Sequence, residues 1–185
     1  MRLTKRLILS FMIIGLSAAG SGLGRTAAAE DERPDAEEYA AYSALITALV
    51  KERRPAAKLV VINHRTTGIR EPHQLSGMSL TETYESFKAR GVDSYRLDRR
   101  FDLKIEYVLA SEEEGWKLFP DAFAARYSQG FGTLLLSRAG LNREKTEVLI
   151  YVLERQGFYA RADGYTLRKT EGEWRVSRRR FLWVT

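Results

Sequence analysis

Few residues in this 185-residue chain could do chemistry, and their spacing narrows the options further. There are two histidines and no cysteine. His64 and His73 stand nine residues apart, which matches no compact metal site, and no thiol is there to complete one. No metal or cofactor site is expected. His64 is the better placed of the two. It directly follows the β-branched run "LVVIN" (59–63), and loops at strand ends are where function concentrates. It could serve as a general base if a carboxylate oriented it beside an open pocket. His73, after Pro72, reads as an ordinary loop residue.

No nucleophile or phosphate cradle accompanies these histidines. Ser137 lies outside any G-x-S-x-G elbow. The "GFGT" run (130–133) lacks both the Gly-Lys of a P-loop and the dinucleotide-binding spacing. The carboxylates read as structural. Glu38, Glu82 and Glu114 each stand three residues after a capping residue (Asp35, Ser79 and Ser111), where a carboxylate returns to a free backbone N–H. Glu112 and Glu113 suit the positive end of a helix. These assignments leave no obvious pair to flank a glycosidic bond. Asp163-Gly164 is a turn or bulge signal. Arg138 and Asn142 could bind a small anion in their turn, although charged turn residues are most often solvated.

The elements that must position these residues follow from periodicity. "DAEEYAAYSALITALVKERRP" (35–55) places Tyr39, Tyr42, Ile46, Leu49 and Val50 on one helical face, with Pro55 closing it. "KLVVIN" (58–63) is a short strand. "SLTETYESFKARG" (79–91) is a second helix, with Ser79 and Glu82 as its capping box. "RFDLKIEYVLA" alternates as a strand from Phe101 to Leu109 and also fits a helix; the strand is favoured. "SEEEGWKLF" starts a third helix, Pro120 interrupts it, and "DAFAARYSQG" supplies a short fourth.

From Phe131 onward the texture is β: "FGTLLLS", "TEVLIYVLE", "GYTLRKT" and "EWRVSRRRFLWVT" are separated by turn residues. "TEVLIYVLE" is apolar at both alternating sets of positions, so it should be a central strand covered on both sides. The expected fold is therefore α+β, with N-terminal helices packed on a C-terminal antiparallel sheet of four to five strands and the Tyr39–Val50 face against it.

The first 29 residues carry a basic start (Arg2, Lys5, Arg6), a thirteen-residue apolar stretch from Leu7 to Ala19, and small residues at Ala27–Ala29. This is the layout of a secretory signal peptide. An uncleaved anchor is the alternative, and the stretch is short of the roughly 20 residues a span takes. Without cysteine there is no lipobox. The expected mature protein is a single domain, 30–185, periplasmic or secreted, with no membrane attachment after cleavage. The leader takes four of the 30 basic residues and none of the 24 acidic ones, leaving a balance of +2. That gives no general attraction to nucleic acid.

The closing "EGEWRVSRRRFLWVT" (171–185) looks at first like an aromatic, basic tail for nucleic acid. As a strand it sends Trp174, Val176, Arg178, Arg180, Leu182 and Val184 to one face and Arg175, Ser177, Arg179, Phe181 and Trp183 to the other. The consecutive arginines are split, so they form no single phosphate clamp. A bulge around Ser177–Arg180 would instead gather Trp174, Val176, Phe181 and Trp183 on one side. In both cases the segment reads as fold, and no nucleic-acid partner is expected.

"YSALI" (42–46), "LSRAGLN" (136–142), "VLIYV" (148–152), "GYTL" (164–167) and "GEWRV…WVT" together resemble a widespread group of small exported bacterial proteins of uncharacterised function, across about residues 39–185. That group carries a "YSALI"-type helix, "LSRVGFN", an apolar strand and K-x-x-G-x-W-x-V. This chain departs from it at Ala139 and Leu141. It also lacks the cysteines associated with the loop near Gly157–Asp163, so a disulfide implied by the resemblance does not carry over. A looser analogy is to nuclear transport factor 2-like domains, which also end on a Gly-x-Trp strand and enclose a pocket; fold alone does not establish function. The resulting expectation is a non-catalytic domain binding a small ligand or a partner protein. The alternative is a hydrolase-like enzyme with His64 as general base.

Overall fold

Asp35 caps the first helix, α1 (Ala36–Arg53), as its sequence requires. Its carboxylate accepts from the Glu38 N–H at 2.9 Å, and Glu38 accepts from the Asp35 N–H at 3.3 Å. Tyr39, Tyr42, Ile46 and Leu49 are buried along one face, joined by Ala41 and Leu45, with Val50 packed at its margin. Each large side chain so buried contributes about 1.5–3 kcal/mol. The computed structural model describes residues 33–69, 71–116 and 120–185, and the expected leader lies outside them.

After α1 come β1 (Leu59–Asn63), a 3-10 turn (Pro72–Leu75), α2 (Thr81–Arg90), β2 (Glu106–Ala110), a π-helical turn (Glu112–Trp116) and α3 (Pro120–Arg126). The chain then forms β3 (Gly130–Leu136), β4 (Gly140–Leu141), β5 (Glu147–Gln156), β6 (Tyr159–Thr170) and β7 (Glu173–Val184). Among the described residues no helix is long and apolar enough to cross a membrane.

The fold is α+β, but the sheet is not the antiparallel one of four to five strands expected. It has seven strands and is mixed, in the order β2-β1-β3-β5-β6-β7, with β4 also on β5. β1 runs parallel to both β2 and β3. β3, β5, β6 and β7 pair antiparallel. The parallel pairs need long crossovers: residues 64–105, which contain α2, lead from β1 to β2, and residues 111–129, which contain α3, lead from β2 to β3. Two strands therefore lie between the helices of the N-terminal half.

β5 is central and covered on both sides. Val148, Ile150 and Val152 join the main core under α1. Leu149 belongs to a second cluster with Leu75, Met78 and Phe87 on the α2 side, where Tyr151 also packs. The segment between β1 and α2 thus supplies two buried apolar side chains, Leu75 and Met78.

Two local expectations are corrected. The Ser79–Glu82 capping box of α2 does not form: Ser79 Oγ donates to the Leu80 carbonyl, and Glu82 accepts from the Arg143 N–H. The α2 start is held by Glu147 from β5, which accepts from the Leu80 N–H at 2.6 Å and Thr83 Oγ1 at 3.1 Å. Second, the strand expected from Phe101 shortens to β2. The Asp98 and Asp102 N–H groups donate to Tyr39 Oη and Ser43 Oγ of α1, so this stretch satisfies its backbone on the helix instead of in a ladder. Phe101 packs edge-on against Tyr39 with ring centroids 5.1 Å apart.

The β6–β7 hairpin turns on Glu171 and Gly172, both at positive φ (53° and 84°), as a two-residue turn matched to strand twist requires. β7 carries two bulges. Leu167 and Thr166 face Val176 and Arg178, leaving Ser177 surplus, and Asp163 and Ala162 face Phe181 and Trp183, leaving Leu182 surplus. The first bulge brings Trp174, Val176 and Phe181 to the α1 side. The second sends Trp183 to the opposite face, so the gathering of four expected from a single slip stops at three.

Candidate functional site: a polar pocket at the ends of the parallel strands

The three parallel strands end together. β1 lies between β2 and β3, and the chain leaves β1 for one neighbour and later returns to the other side. That makes β1 a topological switch point, and in sheets of this kind ligands bind outside the carboxyl ends of the strands at such a point. A pocket of about 420 Å³ lies there. Its lining includes Asn63 and His64 at the end of β1, Ser111, Glu112 and Glu113 after β2, and Leu135 of β3. Thr66, Thr67, Gly68 and Ser94 close it.

The walls are held by backbone and short side-chain bonds. The His64 N–H donates to the Ala110 carbonyl, and the His64 carbonyl accepts from the Leu97 N–H, each at 2.8 Å. The His64 backbone is thereby pinned at the ends of β1 and β2, and the half-buried residue is part of the pocket lining. The two serine hydroxyls of the lining are committed. Ser94 Oγ donates to the Thr66 carbonyl at 2.6 Å and accepts from Arg65 Nε. Ser111 Oγ accepts from the Glu114 N–H, and Glu114 returns to the Ser111 N–H. This last capping box forms as its sequence indicates, on a π-helical turn. It holds the Glu114 carboxyl below its ordinary pKa, chiefly through the Ser111 backbone bond.

Arg138 and Asn142 lie elsewhere, and each is engaged by protein groups. Three residues separate Leu136 from Gly140, while only two separate their partners Val152 and Leu149. The surplus residue makes a bulge between β3 and β4, and bulges re-aim side chains. Here Arg138 reaches the buried Glu38 of α1, with Nε 3.1 Å from one carboxylate oxygen and Nη2 2.9 Å from the other. Its guanidinium carbon sits 4.5 Å from the Tyr95 ring centroid. Asn142 Oδ1 accepts from the Thr146 and Glu147 N–H groups, and Nδ2 donates to Thr146 Oγ1. The rest of "LSRAGLN" also holds elements together: Ser137 offers its carbonyl to Tyr42 Oη and its Oγ to the Tyr151 N–H, and the Leu141 N–H reaches Ser86. His73 is an exposed residue of the 3-10 turn.

Asp163, read as a turn or bulge residue, sits mid-strand beside the second bulge and is 1% exposed. Arg161, Arg53 and Arg179 converge on it at 2.7–3.1 Å, and Arg53 also pairs with Glu154. Burial acts to raise the Asp163 pKa, but the three arginine hydrogen bonds outweigh it and hold the carboxyl below its ordinary value. Burial pushes the Tyr165 hydroxyl beside them up to about 12. The consecutive arginines of β7 are likewise occupied. Arg179 also reaches Glu52, Arg178 the Gly77 carbonyl, and Arg180 the carbonyls of Gln74 and Ser76.

Sequence reasoning placed His64 at a strand end but missed Ser94, Glu112 and Glu113 as its neighbours. The available signal was the unbroken apolar run "LVVI", which is the texture of a strand in a parallel pairing.

No protein-family model matches the chain, and no curated protein matches it. Among solved structures, the chain is similar to the sugar N-methyltransferase KedS8 from Streptoalloteichus sp ATCC 53650 at 16% identity, over 94% of this chain and 84% of that one. The TM-score is 0.22, too low to carry an argument about fold or activity.

Proposed function

We propose that the chain is an exported, non-catalytic domain that binds a small polar ligand in the pocket at the carboxyl ends of β1, β2 and β3. The observation that supports this most is the position of that pocket at the β1 switch point, lined by His64, Ser94, Ser111, Glu112 and Glu113. A volume near 420 Å³ suits a small ligand, since binding clefts run from about 300 to 1,000 Å³. The mixture of imidazole, hydroxyl and carboxylate, with Arg65 also in the lining, favours a ligand with several hydrogen-bonding groups. Export, a periplasmic or secreted location, and membership in the exported group with the "LSRxGxN" pattern belong to the same proposal. It includes no nucleic-acid partner, because the β7 arginines are spent on protein carbonyls and carboxylates.

The test is a thermal-shift screen of polar metabolites against the full chain and a His64→Ala variant. A compound that raises the melting temperature of the first and not of the second supports the reading. A panel without any such compound overturns it. Export is tested separately by fusing residues 1–29 to a reporter active only outside the cytoplasm; a silent reporter removes that part.

A second reading keeps His64 as the general base of a hydrolase-like enzyme. It is favoured by one observation, that His64 shares its pocket with Glu112 and Glu113. Against it, both nearby serine hydroxyls are already committed to backbone partners, so no nucleophile–base pair is assembled. Turnover of a chromogenic ester panel that is lost in His64→Ala would favour the enzyme over the binding domain.

A further inference from the structure

On the α2 side of the sheet a second groove, of about 450 Å³, is lined by Tyr151, Leu153, Leu182 and Trp183 from β5 and β7, with Glu71, Gln74 and the Thr67–Ile69 loop as its rim. It shares only Thr67 and Gly68 with the polar pocket.

Three features define what would fit. First, the floor is aromatic and partly open. Trp183 is 37% exposed, and it stands where it does because the Leu182 bulge turned it away from the α1 side. Tyr151 lies beside it. Burial raises the Tyr151 hydroxyl pKa, while a hydrogen bond from the Trp183 indole acts to lower it. The Trp183 indole N–H is thus tied to the Tyr151 hydroxyl, so two aromatic side chains with a polar edge line the groove. Second, the rim carries a preformed polar pair, with Gln74 Nε2 donating to the Glu71 carboxylate. Third, the rim is anchored. Arg180 Nη1 ties down the Gln74 and Ser76 carbonyls at 2.7 and 2.9 Å, and Leu75 between them is fully buried.

A wholly apolar ligand would take water from Glu71 and Gln74 without replacing its hydrogen bonds, which is costly. An anion would face the Glu71 carboxylate, while Arg178 and Arg180 of this face already give hydrogen bonds to protein carbonyls. A cation would approach a sheet face that Arg178 and Arg180 share with Trp183 by register. What remains is a neutral molecule with one flat C–H face for the rings and hydroxyls along its edge for a carboxylate–carboxamide pair. We infer that this groove is a carbohydrate-binding subsite, in which a pyranose ring stacks on Trp183 and Tyr151 and its hydroxyls bond to Glu71 and Gln74.

The experiment titrates the full chain with cellotetraose, chitotetraose and maltotetraose up to about 10 mM, a range that reaches affinities weaker than millimolar, and follows the Trp183 indole N–H by NMR. An apolar fatty acid and a neutral tetrapeptide serve as comparison probes. The expected result is a saturable shift of the Trp183 signal with at least one saccharide and with neither comparison probe. Trp183→Ala should weaken the affinity about tenfold or more; its loss of binding is read from the remaining indole and backbone signals. Glu71→Gln, at an exposed position, should weaken binding while leaving the fold unchanged. Saccharide binding that survives both substitutions, a Trp183 signal that no saccharide moves, or a response to the fatty acid or peptide alone would each overturn the assignment.

Discussion

The Arg138 guanidinium lies in bidentate contact with the Glu38 carboxylate, both side chains almost fully shut off from water, at 2% and 0% exposure. Arg90 reaches the same carboxylate at 2.7 Å, the Ala139 N–H donates to it at 3.1 Å, and Tyr42 Oη at 3.3 Å. One glutamate therefore caps α1, holds the β3–β4 bulge and ties α2 to both. Burial, with the Glu38 charge adding to it, also drives the Tyr42 hydroxyl well above its ordinary pKa.

Removing one partner of this buried set leaves an uncompensated charge, which costs about 3–5 kcal/mol. Glu38→Leu is expected to destabilise the protein by that order in urea unfolding, with Arg138→Met falling in the same range. The double substitution should cost less than the two single ones summed, because it removes both fully buried charges and leaves without its carboxylate only Arg90, whose side chain is partly exposed. A cycle that proves additive would mean that the pair is not coupled.

How far the sequence could reveal this depends on range. The Asp35–Glu38 box, the α1 face and the Glu171–Gly172 turn are legible because each is decided within a few residues. The same Glu38 carboxylate serving Arg138, one hundred residues away, is not legible, since no local pattern announces it. Ser79 and Glu82 had the right spacing for a cap, yet Glu147 supplies it from a distant strand. That the partners of β1 are β2 and β3 was hidden for the same reason: strand texture gives burial but does not name partners. The first β7 bulge was foreseeable from the cost of burying arginine beside tryptophan. The second depends on the packing of Trp183 beside Tyr151. His64 was legible as a strand-end residue, whereas its pocket depended on the parallel topology.

Asp163 makes part of the stability dependent on acid. Its folded pKa lies below the ordinary 3.8 because, against burial, Arg161, Arg53 and Arg179 hydrogen-bond to the charged form. A group with a lowered folded pKa contributes stability that is complete above its unfolded pKa and is lost as pH falls through the folded one. Unfolding free energy should therefore decline as pH drops from about 5 to about 2. Asp163→Asn should be less stable than the parent at pH 7, by about 3 kcal/mol or more, and should show a shallower decline over the acid range. Parallel pH profiles would sink the idea.

Gly140 is required by contact. A Cβ built there would lie 2.3–2.5 Å from the Phe87 Cβ, Cα and N, so two of the three clashing atoms are α2 backbone. Gly140→Ala is expected to force α2 off β4, at a cost of about 1–3 kcal/mol for overpacking. Trimming Phe87 to alanine in the same chain should not restore stability, since the backbone atoms remain. A melting temperature unchanged by Gly140→Ala would show that α2 can move freely.

Glu147 offers the last test, because it caps a helix from outside it. One of its oxygens takes the Leu80 N–H and the Thr83 hydroxyl, while the other takes Arg168 Nε at 2.9 Å. Losing a helix N-cap costs about 0.5–2 kcal/mol, and leaving the Leu80 N–H unpaired adds to it. Glu147→Ala should destabilise the whole protein and also speed amide exchange selectively at the start of α2. Glu147→Gln keeps an acceptor for Leu80 and should recover most of the loss, while Glu82→Ala should leave α2 exchange nearly unchanged. If Glu82→Ala frays the α2 start as much as Glu147→Ala does, the local capping box is at work in solution and the long-range cap is not.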